Sequence, residues 1–131
     1  CPARHRVNVL AVNDQVPTWF GRNFRKYNDK ENTLPFDHDE LIALLAPRPV
    51  YIASATEDQW ADPKGEFRSG IHATPVYESI FRKKGLNAQE MPPSDTPLQD
   101  GSIAYHIRSG RHDITLYDWK QYVKFADKWF K

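Results

Sequence analysis

The sequence predicts an α/β fold, a mostly parallel sheet with flanking helices, and three observations carry that prediction. Pro49-Val50-Tyr51-Ile52-Ala53 is a short run that is continuously apolar rather than alternating, as a strand covered on both faces requires. A second run, SIAYHI from Ser102 to Ile107, has the same character. Each run leads through a polar loop into a helical pattern. The order is therefore strand, acidic loop, helix, long loop, strand, histidine-bearing loop, helix. Connections of this kind join parallel strands by right-handed crossovers, and sites in such sheets lie at the carboxyl ends of the strands.

The bulk numbers suit one domain. A chain of 131 residues is long enough for a core, though not for deep burial. Mean hydropathy is low at -0.71, yet aromatics make up 13%, a content that disordered tails lack. Eighteen basic against 17 acidic side chains leave a net charge of +1, too little to gather nucleic acid or an anionic membrane. The single cysteine, Cys1, excludes an intrachain disulfide. CPARHRVNVL lacks the apolar stretch of a signal peptide, and no run approaches the ~18 apolar residues of a membrane helix. A start on Cys-Pro without methionine suggests processing or truncation, so the chain is expected to be a piece.

Along the chain, Val7 to Val12 reads as a short strand before the turn signal Asn13-Asp14. In VPTWFGRNFRKYN, Trp19, Phe20, Phe24 and Tyr27 recur at helical spacing and are expected to pack their rings inward, on a helix or an irregular cover. Asp37 is a natural N-cap with Glu40 three residues on, a capping-box arrangement. Leu41, Ile42, Leu44 and Leu45 follow as an apolar stripe, and Pro47 stops the helix. Beyond the acidic loop, Asp62-Pro63 opens a helix at PKGEF, and Thr74 to Lys84 reads as helix with Gly85 as its stop. NAQEMPPSDTPLQDG is loop. Thr115 and Asp118 open a last helix whose stripe is Trp119, Tyr122, Val123, Ala126 and Phe130.

Chemistry enters at the two strand ends. The stretch TEDQWADPKGEF carries Glu57, Asp58, Asp62 and Glu66 around Trp60. Asp58 stands five residues past Ala53, and His112 follows the second strand in the loop RSGRHD. An acid and then a histidine after successive strands is the second half of the Ser, Asp/Glu, His order of α/β-hydrolases. A carboxylate on Nδ1 holds the imidazole in one tautomer, which frees Nε2 to take the nucleophile's proton. The bland alternatives are a surface acid and an exposed loop histidine. Asp62 suits a helix cap, while Glu57 and Glu66 are expected to be solvated. His106 is expected within the strand, and His5, His38 and His72 lack metal-ligand spacing, so neither metal nor cofactor is expected. No G-x-S-x-G occurs, and Ser54, Ser69, Ser79, Ser94, Ser102 and Ser109 sit on no glycine-flanked elbow. A nucleophile and its oxyanion hole must come from elsewhere.

The segments WFGRNFRKYN, LPFDHDELIALLAPRPVYIASA, EDQWADPKGEF, PVYESIFRKKG, YHIRSGRHDIT and YDWKQYVKFADKW together resemble the carboxyl-terminal part of carbohydrate esterase family 15, the glucuronoyl esterases. The resemblance runs from about Trp19 to the end. It implies that residues 1–131 are part of an α/β-hydrolase domain bearing the acid and histidine without the nucleophile half. It also implies serine hydrolysis of esters between xylan-linked glucuronic acid and lignin alcohols, in a secreted or periplasmic protein. In that reading His112 is the general base, Asp58 orients it, and Trp60 lines the uronic acid pocket. Some relatives carry the triad acid after an earlier strand, which leaves Asp58 as triad or auxiliary acid. The family's Gly-Cys-Ser-Arg nucleophile motif is absent, Arg111 stands where many relatives have glycine, and residues 1 to about 16 match poorly.

Two further readings stand beside this one, an acetyl xylan or other carbohydrate esterase on the same scaffold and a noncatalytic remnant that binds glycan or protein. The expected partners are a glucuronoxylan-type ester and either the missing nucleophile-bearing half or a second copy. Nucleic acid and membrane are not expected. The rings and cations of WFGRNFRKYNDK are explained by helical spacing without a basic excess.

Overall fold

The computed structural model describes residues 8–130. Among these, two strands form a parallel pair, β1 (Val50–Ala55) and β2 (Ile103–Arg108), in the register Val50↔Ile103 through Ala55↔Arg108. The helix between them, α3 (Pro63–Ser79), lies on one face, and α4 (Leu116–Trp129) lies on the other. Ahead of the sheet come α1 (Val9–Gln15) and α2 (His38–Ala43), the latter packed on α3.

The strands alternate their side chains between the two helical layers, as the pleat dictates. Ile103, Tyr105 and Ile107 join Phe67, Ala73, Tyr77 and Leu86 in the core between sheet and α3. On the other face, His106 and Tyr51 meet the rings of α4: Tyr51 lies 5.1 Å from Tyr122 and 5.3 Å from Phe125, both edge to face. Edge-to-face pairs place the positive ring rim against the negative face, which favours this crossing. All six β2 residues are buried, whereas β1 is half-buried over its first four residues. The far side of β2 is closed by the long loop, through an antiparallel bridge between Leu98 and Tyr105 and a bond from Asp95 N to Ile107 O of 2.8 Å. Full cover was expected of both strands and is met by β2 alone.

Several other expectations change. Residues 9–15, expected as strand, form α1, whose N-cap Asn8 accepts a hydrogen bond from Ala11 N through its side chain; Val7 lies outside the described residues. A cap that satisfies the first turn favours a helix over the β propensity of Val9 and Val12. The aromatic segment folds as a short 3-10 helix, Arg22–Tyr27, with Phe20 ahead of it stacked on Phe24 at 4.6 Å, and Trp19 is exposed rather than inward. The α2 capping box forms as expected from Asp37 and Glu40, but of its stripe only Ile42 packs on the core, and Leu41, Leu44 and Leu45 are exposed.

The two helical signals after the acidic loop merge into one helix, α3, beginning with Pro63 at its first position and accommodating Pro75 on its exposed side. That helix stops short of Lys84. Arg82, not Gly85, takes the left-handed conformation (φ 56°), and Lys83 N bonds back to Tyr77 O at 3.0 Å to close the end. In α4 the inward side is Asp118, Tyr122 and Phe125, so Trp119, Val123 and Phe130 of the expected stripe point to solvent. Apolar residues occupy both sides of this helix, and the side that turns in is the one carrying Asp118, which bonds His106 and Arg108.

Candidate active site

Register places the two loops side by side. Beyond the last pair, Ala55 and Arg108, Thr56 N donates to Arg108 O at 2.9 Å and Glu57 N donates to Gly110 O at 2.9 Å. Gly110 N returns a bond to Thr56 Oγ1 at 3.1 Å. Gly110 sits at φ 111°, a conformation L side chains rarely adopt, and a Cβ there would lie 3.2 Å from Arg108 Nη1. Laced together in this way, the loops bring Asp58 and His112 to the same rim.

His112 Nδ1 lies 2.5 Å from Asp58 Oδ2. The carboxylate is mostly covered, with 12% of its side chain exposed, and the imidazole is open at 86%. Asp58 is fixed by its own backbone bond to Ala55 O at 3.1 Å and by Ala61 N, which donates to Oδ1 at 3.4 Å. With Nδ1–H donated to the carboxylate, Nε2 holds its lone pair facing outward, and no serine hydroxyl among the described residues bonds to it. The pair can accept a proton from a group presented from outside and hand it on.

Of the other acids, only Glu66 departs from expectation. Asp62 takes the N-cap position of α3 (φ 57°), its carboxylate so close over Gly65 that a Cβ there would lie 2.5 Å from Oδ2. Glu57 is exposed and stands 3.4 Å from Arg111. Glu66, expected to be solvated, is half-buried and accepts a 2.6 Å hydrogen bond from Ser54 Oγ. Burial raises its carboxyl above the usual range, partly offset by that bond. Trp60 stands on the same loop as Asp58, with 44% of its surface open.

Beneath the rim lies a cluster that sequence reasoning missed. His106 is fully buried; its Nδ1 accepts from Tyr51 Oη at 2.9 Å, and its Nε2 donates to Asp118 Oδ1 at 2.9 Å. Asp118 Oδ2 also accepts from Arg108 Nε at 2.9 Å, Thr115 N at 2.6 Å and Thr115 Oγ1 at 2.7 Å. Burial opposes the charge of Asp118, but the bonds from Thr115 and His106 and the Arg108 charge hold its carboxyl at about 2. Burial likewise pushes the His106 imidazole down, against the raising effect of Asp118, and keeps it neutral. A histidine and an arginine inside an otherwise apolar strand, with an acid at the third position of the next helix, were the available signal. Among the described residues no group of side chains is arranged to hold a metal ion, and no helix is long and apolar enough to cross a membrane.

Comparison with known proteins identifies the family and the fold. A family model described as "Glucuronyl esterase, fungi" matches residues 5–80. The curated carbohydrate esterase MZ0003, from an unknown prokaryotic organism, is 49% identical over 119 residues, which cover 91% of this chain and 27% of that protein. A 4-O-methyl-glucuronoyl methylesterase of Wolfiporia cocos is 39% identical over 62 residues, covering 47% of the chain and 15% of that enzyme. Among solved structures, a promiscuous CE15 esterase from a marine bacterial metagenome superposes with a TM-score of 0.88 at 47% identity, over 92% of this chain and 30% of the other. A glucuronoyl esterase from Solibacter usitatus does so with a TM-score of 0.84 at 52% identity, again over 92% and 30%. The parallel sheet with flanking helices is thus part of an α/β-hydrolase fold, and the chain spans about 30% of the length of these solved relatives.

Proposed function

This chain belongs to the glucuronoyl esterases of carbohydrate esterase family 15, and from that premise we propose that it supplies the general base and orienting acid of a serine carboxylic ester hydrolase. The observation that carries the reading is the 2.5 Å contact between His112 Nδ1 and the covered carboxylate of Asp58, with Nε2 open to solvent. Residues 1–131 form the acid- and histidine-bearing part of the domain. The serine and its oxyanion hole lie outside this chain.

In the reaction, His112 Nε2 takes the serine hydroxyl proton as the oxygen bonds to the ester carbonyl carbon. The resulting imidazolium, stabilised by Asp58, then donates that proton to the departing alcohol as the C–O bond breaks. Water repeats the cycle on the acyl-enzyme, giving the free acid and the regenerated serine. The acyl group is a (4-O-methyl-)glucuronic acid carried on xylan, and the alcohol belongs to lignin. Trp60 offers the sugar a flat apolar face and one N–H donor from the rim that holds Asp58. Replacing Trp60 with Ala is expected to raise KM about tenfold with kcat little changed, the loss of one stacking contact; an unchanged KM would remove it from the pocket. The marine bacterial relative is described as promiscuous, which favours a second reading in which other carbohydrate esters are also cleaved.

The nucleophile-bearing part is the natural partner of this chain. β1 is the less covered strand, and Leu44, 76% exposed, joins Leu41 and Leu45 in presenting apolar surface. Unpaired strand edges and apolar patches of this kind attract polypeptide. A stable, monodisperse monomer of this chain by light scattering would count against that association. A secreted or periplasmic location completes the family reading; retention of the mature protein in the cytoplasm on cell fractionation would refute it.

The deciding experiment is labelling with a fluorophosphonate followed by intact mass measurement. A labelled serine on a polypeptide that includes or accompanies this 15.2 kDa chain, with label lost on His112→Ala, is the expected result. Labelling that survives His112→Ala would sink the assignment.

A further inference from the structure

His112 meets Asp58 with 86% of its own side chain exposed, and its loop is packed by almost nothing: residues 111–114 are all exposed. Loops with so little apolar contact ordinarily fluctuate, yet a general base must hold its position to within a fraction of an ångström. The loop is instead gripped through its carbonyls. Arg108 Nη2 donates to Arg111 O at 2.8 Å and, at short range, to Asp113 O, while Nη1 donates to Ser109 O at 3.2 Å. These carbonyls flank His112 on both sides. Arg108 itself is only 4% exposed, and Asp118 holds its guanidinium from behind.

We infer that Arg108 is a positioning residue for His112, a fork locked to Asp118 at one end and to the backbone around the imidazole at the other. The inference rests on the proposed role of His112 as base. Thr56 and Asp95 hold the opposite side of the same loop, Thr56 through Gly110 N and Asp95 through Ser109 Oγ at 2.9 Å, so Arg108 supplies the inner half of a two-sided grip. Arginine suits the task because its planar group offers five donors in fixed directions, enough for one carboxylate and three carbonyls. Lysine would preserve the charge facing Asp118 but, as a single ammonium, would not hold three carbonyls at once.

Arg108→Lys in the complete, serine-bearing enzyme tests this. The expected result is a fall in kcat of about 100-fold with KM held within about twofold, because the base is misplaced while the substrate pocket is kept. Amide hydrogen exchange of residues 109–114 is expected to quicken, with the β1 amides unchanged. Unaltered kcat, or exchange that rises equally in β1, overturns the inference. Should Arg108→Lys fail to fold, Asp118→Asn provides the second variant: it drops the charge lock while keeping a carbonyl acceptor for Thr115, and must show the same loop-confined exchange, or the inference fails. His112→Ala assayed in parallel keeps the two readings separate. Turnover retained there removes His112 as base, whereas the exchange pattern judges the grip of Arg108 independently.

Discussion

The His106–Asp118 pair is held at 2.9 Å with its side chains 0% and 3% exposed, whereas His112–Asp58 is held at 2.5 Å with the imidazole 86% exposed. Chemically the two pairs are alike, and their surroundings give them opposite capacities. In the buried pair both ring nitrogens are used, Nδ1 by Tyr51 and Nε2 by Asp118, so no lone pair remains for a substrate. Burial keeps that ring neutral and makes it a fixed part of the core. In the rim pair one nitrogen is used for orientation and the other is left open. A histidine–aspartate contact acquires chemical use only where one end of the ring meets the outside, and the buried pair stabilises the frame on which the exposed one stands.

The sharpest way to break this contrast is to remove each histidine's function in turn. His112→Ala is expected to lower turnover of the complete enzyme about 100,000-fold, and Asp58→Asn about 1,000-fold, since an orienting acid contributes less than the base it orients. His112→Ala leaves thermal stability nearly unchanged because His112 is exposed, and a large drop in melting temperature would contradict the assignment of roles. Asp118→Ala is expected to do the reverse. It leaves Arg108 buried without its carboxylate, at about 3–5 kcal/mol of stability, measurable as a shift of the urea midpoint. A shift no larger than that of a surface mutant would show that the cluster is wet and adaptable.

The smallest expected effect is a pH dependence of stability. Both buried groups have folded-state values below their ordinary ones, His106 below 6.5 and Asp118 lowered from 3.8 to about 2. A depressed value means that the unfolded chain binds protons more readily, so stability is complete above the ordinary value and is lost as pH falls toward the folded one. The melting temperature should therefore begin to fall below about pH 6.5 and drop again below about pH 4. Tyr51→Phe is expected to shrink the first step, because it removes a donor that favours the neutral His106 ring. A melting temperature flat from pH 7 to 5 would contradict the neutral, desolvated state of His106.

Much of this layout was legible in the sequence because it is written in local pattern. The two apolar runs became β1 and β2 within a residue or two of their expected bounds, and the capping boxes at Asp37 and Thr115 formed with the expected partners, Glu40 and Asp118. Asp58 and His112 could be placed on one rim because parallel strands in register end at the same level. Where the sequence misled, two local signals competed: α1 has β-branched residues but a capped first turn, and α4 is apolar on two sides. Asp118 was recognised as a capping residue, yet its second role, binding His106 and Arg108, depends on a strand distant in the chain.

The sequence by itself determined the α/β class, the order of elements and the identity of the acid and histidine that end the two strands, since periodicity, caps and turn residues act over a few positions. Only the tertiary structure decided which side of α4 turns inward, that Glu66 is covered by Ser54 rather than solvated, and that Arg108 reaches across to the backbone around His112. These are questions of burial and of contacts between residues brought together by packing. Their energies depend on how much water the fold removes around each group, a quantity that no local pattern specifies.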